Sequence, residues 1–98
     1  MKWEVWFSAK AKKQTQTLPD AVQRRLKYLV EEIKVLGPVR PNWPNYGKLK
    51  GRGDCHHCHL SRGKTTYVAV WQVKDRGIRL VGVRYVGTHE KADYRRIC

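Results

Sequence analysis

Residues 19–36 constrain this chain more than any other stretch. Their apolar members Val22, Leu26, Leu29, Val30, Ile33 and Leu36 recur at spacings of three and four, the stripe of an amphipathic helix. Pro19 opens the stretch, Asp20 puts a carboxylate in its first turn, and Gly37 with Pro38 stops it. A helix with one apolar face needs an apolar surface to lie on. The rest of the chain supplies one. After a loop at 38–47, rich in proline and asparagine, the pattern changes to that of strands, expected at 55–60, 65–73 and 78–86. Ser61-Arg62-Gly63-Lys64 and Lys74-Asp75-Arg76-Gly77 are the turns between them, which makes an antiparallel meander. Residues 3–7 read as a further short strand, and Ser8 as the cap of a short basic helix carrying Lys10, Lys12 and Lys13. The expected fold is α+β, a single domain over residues 1–98. An N-terminal strand and two helices pack on one face of a small, mainly antiparallel sheet, and the other face stays available for a ligand.

Charge narrows the partners. The 98 residues carry 21 Lys and Arg against 8 Asp and Glu, a net charge of +13. Such a surplus strains a compact fold by self-repulsion and suits a polyanionic partner. Arg24, Arg25 and Lys27 form a basic face on the long helix, opposite its apolar stripe. The apolar runs are far shorter than the roughly 20 residues a membrane span needs. The N-terminus has no apolar core of a secretion signal, and the three cysteines are an odd number. The expected setting is the cytoplasm, with no disulfide scaffold and Cys98 single and terminal.

Histidine carries the chemistry. Three of the four histidines fall at His56, His57 and His59, and the fourth is His89. On a strand His57 and His59 share a face, and His56 points the other way. An imidazole pair on an open sheet face of a basic protein suits acid–base work on a phosphodiester, where arginine and lysine stabilise the developing charge. Cys55-His56-His57-Cys58-His59 also contains a C-x-x-C, the raw material of a zinc site. A structural zinc site takes four ligands, commonly two separated pairs, and a regular strand turns Cys55 and Cys58 to opposite faces. No metal and no other cofactor is expected. Tyr94, five residues past His89, reads either as a side chain over the open face or as a tail anchor in the core.

This arrangement resembles the RelE/ParE superfamily of bacterial type II toxin–antitoxin toxins. The resemblance follows the element order and is most specific at Gly47-Lys48-Leu49-Lys50-Gly51, Asp54-Cys55, His59-Leu60, Val70-Trp71-Gln72-Val73, Val86-Gly87-Thr88-His89 and Tyr94. RelE-type members are ribosome-dependent mRNA endonucleases with the active site on the concave sheet face. Their two lysines on one strand fall on His57 and His59, their arginine after the final strand on His89, and their tail tyrosine on Tyr94. Three imidazoles thus replace lysine, lysine and arginine, as in the histidine-using members that resemble YafQ and HigB. A further arginine of that family falls on Val68, which carries no charge, so Arg62 or Arg84 is the expected substitute.

The resemblance implies an mRNA-cleaving toxin acting by metal-independent attack of the 2′-hydroxyl and arresting translation. His89 is the implied general acid, one of His57 and His59 the general base, and Tyr94 a stacking or orienting group. Lys48, Lys50, Arg62 and Arg84 are the implied RNA- and phosphate-binding cations. The implied partners are mRNA, the ribosome and an acidic cognate antitoxin. Two other readings stand beside this one: a ParE-like inhibitor of DNA gyrase without nuclease chemistry, and a non-catalytic RNA- or ribosome-binding module.

Overall fold

The computed structural model describes residues 2–51, 53–61 and 63–98. The long helix α2 (Asp20–Leu36) follows a short helix α1 (Ala9–Gln16), which Ser8 caps by accepting from the Ala11 amide. Among the described residues five strands form one sheet: β1 (Glu4–Phe7), β2 (Gly47–Lys48), β3 (Cys55–Ser61), β4 (Tyr67–Asp75) and β5 (Leu80–Thr88). Their order is β1-β5-β4-β3-β2, with β1 parallel to β5 and every other pair antiparallel. A short 3₁₀ turn (His89–Lys91) and a last helix α3 (Tyr94–Ile97) complete the chain.

The expected α+β fold is the one observed, with its details shifted. β4 and β5 start and end two residues later than the alternation suggests. The Asp75 carboxylate accepts from the Ile78 amide at 3.1 Å, an Asx turn that moves the bend past residue 75. β2 and α3 leave no mark in the pattern; at two and four residues they are too short to show a period.

Both helices lie on one face of the sheet. Ala11, Leu18, Val22, Leu26, Leu29 and Ile33 bury against Cys58, Leu60, Ala69, Trp71, Val81, Val83 and Val86 from β3, β4 and β5. Truncating Leu29 or Ile33 to alanine in such a core costs about 2–5 kcal/mol. The proline-rich loop is pinned to this layer at three points. The Trp71 indole donates to the Pro38 carbonyl at 2.9 Å, and the His59 amide to the Pro44 carbonyl at 2.7 Å. The Glu32 carboxylate accepts from Arg40, Asn42 and Trp43. Burial alone would raise the pKa of Glu32, but these donors together hold it below its ordinary value. The loop therefore holds β3 at a fixed height on the sheet.

The opposite face is only partly open, which corrects the expectation of a bare surface. A second cluster of Cys55, Val68, Val70 and Tyr85 is roofed by Leu49, Ala92, Tyr94, Ile97 and Cys98. The tail folds back because these β-strand residues would otherwise expose a continuous apolar patch. The structure also joins Cys55 to Cys98 in a disulfide, with Cα atoms 6.5 Å apart. Cys98, read from the sequence as single, is thus the fastener of the tail.

Candidate active site

β3 sorts its side chains by alternation. His57 pairs across to Val70 and His59 to Val68, which places both imidazoles on the half-covered face. The tail brings two more rings to them. The His89 amide donates to the Thr66 carbonyl at 2.8 Å, which starts the 3₁₀ turn beside the β3–β4 hairpin. There the His89 ring meets His59 edge-on, with centroids 5.4 Å apart. Asp93 caps α3 by accepting from the Arg95 amide, and Tyr94 at its start lies 5.3 Å from His57. His57, His59, His89 and Tyr94 therefore form one aromatic group.

Two glycines make room for rings on this face. Gly47 of β2 pairs with His57, and a Cβ there would stand 3.1 Å from His57 Nε2. A Cβ on Gly87 would stand 2.7 Å from the Tyr85 hydroxyl, which donates to the Thr88 carbonyl. Tyr85 lies flat along the strand only because residue 87 lacks a side chain. Both glycines belong to the matched stretches of sequence, but nothing in the pattern reveals what they face.

Electrostatics distinguishes the rings. Burial, then the neighbouring His59, His89 and His56, lowers the pKa of His57, so it is held towards the neutral form. Its Nδ1 is buried and makes no hydrogen bond. Burial, with Tyr85 and Cys58 nearby, raises the Tyr94 phenol, which stays protonated. Cys58, on the core face, has its thiol pushed up to about 12 by burial and by Glu32. A thiol that reluctant to ionise is no nucleophile.

His56 belongs to a different assembly. Its Nδ1 meets the Tyr46 hydroxyl at 2.7 Å, its Nε2 meets Asp54 at 3.0 Å, and its ring stacks on Trp71 at 7° between planes. Asp54 in turn pairs with Arg76 at 2.7 Å and Lys48 at 3.4 Å. Burial would raise Asp54; the His56 hydrogen bond and the two cations bring it below its ordinary value.

The expected cations separate. Lys48 is committed to Asp54 on the far side of β3, away from the imidazole group. Lys50 is exposed in the turn after β2, and Arg62 lies outside the described residues. Of the three that are described, Arg84 alone faces the site side. The register slips between Val70 and Trp71, which pair with Tyr85 and Val83, so Arg84 is an extra residue in the ladder. This bulge turns Arg84 towards Gln72, to whose Oε1 it donates at 3.0 Å. Val68 is fully buried under the tail and supplies no charge. Among the described residues no group of three or more His, Cys, Asp or Glu side chains is arranged to hold a metal ion. Cys55 and Cys58 lie on opposite faces, and Cys55 is bonded to Cys98.

No protein-family model matches the chain, and no curated protein matches it significantly. Solved structures do. The free E. coli toxin RelE, in a variant with two arginines changed to alanine, superposes with a TM-score of 0.73 at 27% identity, covering 94% of this chain and 88% of that one. The E. coli RelBE toxin–antitoxin complex gives 0.67 at 26% identity, covering 93% and 98%. A Staphylococcus aureus YoeB dimer shares the fold at 0.64 and 15% identity, covering 85% and 92%. These likenesses extend over most of the chain. On that ground the chain is RelE-like, similar to type II toxins in fold and, at 26–27% identity to the E. coli protein, in sequence.

Proposed function

We propose that this type II toxin is an endoribonuclease that cleaves mRNA on the ribosome. The observation that carries the reading is the meeting of His57, His59, His89 and Tyr94 on one sheet face of a protein with net charge +13. One of the His57/His59 pair takes the proton of a ribose 2′-hydroxyl, and O2′ attacks the adjacent phosphorus. Burial and its neighbours lower the pKa of His57, which favours the neutral form that a base must start from. The bond from phosphorus to O5′ breaks, and His89 gives O5′ its proton. The products are a 2′,3′-cyclic phosphate and a 5′-hydroxyl, with no water or metal-bound nucleophile consumed. Arg84 faces the charge that builds on the phosphoryl oxygens. Tyr94 is a platform for a base, and such stacking is worth roughly 1–3 kcal/mol per base.

The RelBE structure is a toxin–antitoxin complex. By the same likeness this chain has a cognate antitoxin, and an acidic one answers its charge. The site of action is the cytoplasm, where translating ribosomes are.

The test is a translating extract given chelator-treated protein, with primer extension across a reporter mRNA. Breaks with 5′-hydroxyl ends that vanish in His89→Ala support the reading. Intact mRNA with blocked gyrase supercoiling would replace it with the gyrase inhibitor. Intact mRNA with ribosome binding alone would leave the non-catalytic module.

A further inference from the structure

The half-covered sheet face does not end at the histidines. Beyond the tail, on the side of β1, lies an open groove of about 630 Å³, within the roughly 300–1,000 Å³ usual for ligand sites. Trp6 stands at its rim, 62% exposed. β1 explains why. Val5 and Phe7 turn into the core, so alternation sends Trp6 to the opposite face. The residue paired with Trp6 is Gly82, which offers the indole no neighbouring side chain of its own, and the Lys74 stem lies over that glycine. An indole this exposed beside a groove is a ready stacking platform.

Charge identifies what would stack there. The groove is lined by the cations Lys10, Lys74, Arg84, Lys91 and Arg96, against one carboxylate, Asp93. Asp93 is itself engaged with the Arg95 amide and Arg96. The groove is also continuous with the candidate active site. Arg84 lines it while bonding Gln72, and Gln72 pairs across to Cys55 on the strand that carries His57. Trp6 and His57 are separated by three strand spacings, about 14 Å across the sheet.

We infer that this groove is a second RNA subsite, which holds a nucleotide a few positions along the strand from the scissile bond by stacking its base on Trp6 and its phosphates on Lys74 and Lys91. This deepens the nuclease reading and rests on it. Of the possible polyanions, a single strand of RNA fits best, because the groove runs on from the candidate active site and one strand can occupy both. Base stacking also tolerates any base, so the subsite adds affinity and register without demanding a sequence.

The test uses 2′-O-methyl oligoribonucleotides, whose blocked 2′-oxygen prevents attack, with fluorescence anisotropy as the readout. A dinucleotide is too short to bridge the two sites, whereas a heptanucleotide spans them. Trp6→Ala is expected to weaken the heptanucleotide about tenfold and the dinucleotide less than twofold, with Trp6→Phe restoring most of the loss. Lys74→Ala is expected to lower the slope of log affinity against log salt by about 0.7 for the heptanucleotide. It keeps the test open if Trp6→Ala does not fold. Unchanged heptanucleotide affinity in Trp6→Ala, or an unchanged salt slope in Lys74→Ala, would overturn the inference. So would a result in which Trp6→Ala weakens an acidic peptide but not the RNA. Loss of the nuclease reading looks different: His89→Ala would cut mRNA as wild type does, whatever Trp6 binds.

Discussion

His56 and His57 are neighbours on one strand, have the same side chain, and both have pKa values lowered chiefly by burial. They nevertheless do opposite things. His56 is 1% exposed, has both ring nitrogens engaged, and lies stacked on Trp71. Every polar atom of it is answered from within the fold, as a buried ring requires. His57 keeps a buried nitrogen without a partner and sits among other imidazoles and a phenol. Burial alone therefore does not mark a reactive histidine. The distinguishing feature is what the ring nitrogens face. A satisfied ring holds the fold together, and the unsatisfied one is the ring proposed for the chemistry.

The sharpest way to break this comparison is to remove each ring in turn. His57→Ala and His89→Ala are expected to lower the rate of mRNA cleavage by about 10²–10⁴-fold, the usual contribution of a general acid or base. Their melting midpoints should remain close to wild type. Equal cleavage in either variant would remove that histidine from the chemistry. His56→Ala should show the reverse pattern. It opens a cavity against Trp71 and leaves the Tyr46 hydroxyl without its ring partner, at a cost of about 3 kcal/mol. For a domain of this size that lowers the midpoint by more than about 10 °C. If His56→Ala melted like wild type yet lost cleavage, the assignment of the two rings would have to be exchanged.

Acid gives a smaller and shared effect. The folded-state pKa of each ring lies below the ordinary 6.5, so the unfolded chain binds protons more readily. Stability is then fully present above pH 6.5 and is lost as pH falls from there through the folded values. The melting midpoint should drop between pH 7.5 and 5.5, and His57→Gln should blunt part of that drop. A midpoint that rose on acidification would contradict both shifts. The smallest effect belongs to Lys48→Ala. Its ion pair with Asp54 is well exposed, and such pairs contribute about 0–1 kcal/mol. Cleavage should hardly change, because Lys48 does not face the imidazole group; a large loss of cleavage would return Lys48 to the RNA site.

Alternation along β3 already separates His56 from His57 and His59, which is why half of this comparison is legible in the amino-acid sequence. The helix stripe, the meander and the single domain are equally plain, because they follow from local periodicity. What escapes is set by distant residues. The Asp54–His56–Tyr46 chain, the space Gly47 leaves for His57, and the Cys55–Cys98 bond join residues that share no pattern. Lys48 illustrates the cost of reading a cation by its neighbourhood in sequence. It sits in a matched segment, yet the partner that claims it is a carboxylate six positions on, behind the strand. Arg84 escapes differently: a bulge, not alternation, decides which way it faces.

The parallel pairing of residues 4–7 with residues 80–83 carries a consequence in time. A ribosome delivers β1 at the outset and β5 only after the helices, the proline loop and two other strands. Until then the first strand has no strand to pair with, and closing so long a loop is a slow, late event in folding. The second proposed RNA site straddles that seam, because Trp6 needs Gly82 beside it, and the first is complete only when His89 follows β5. Under the proposed function, the nascent chain thus spares the ribosome that is making it. Its two halves of the site are brought together only once that work is nearly done.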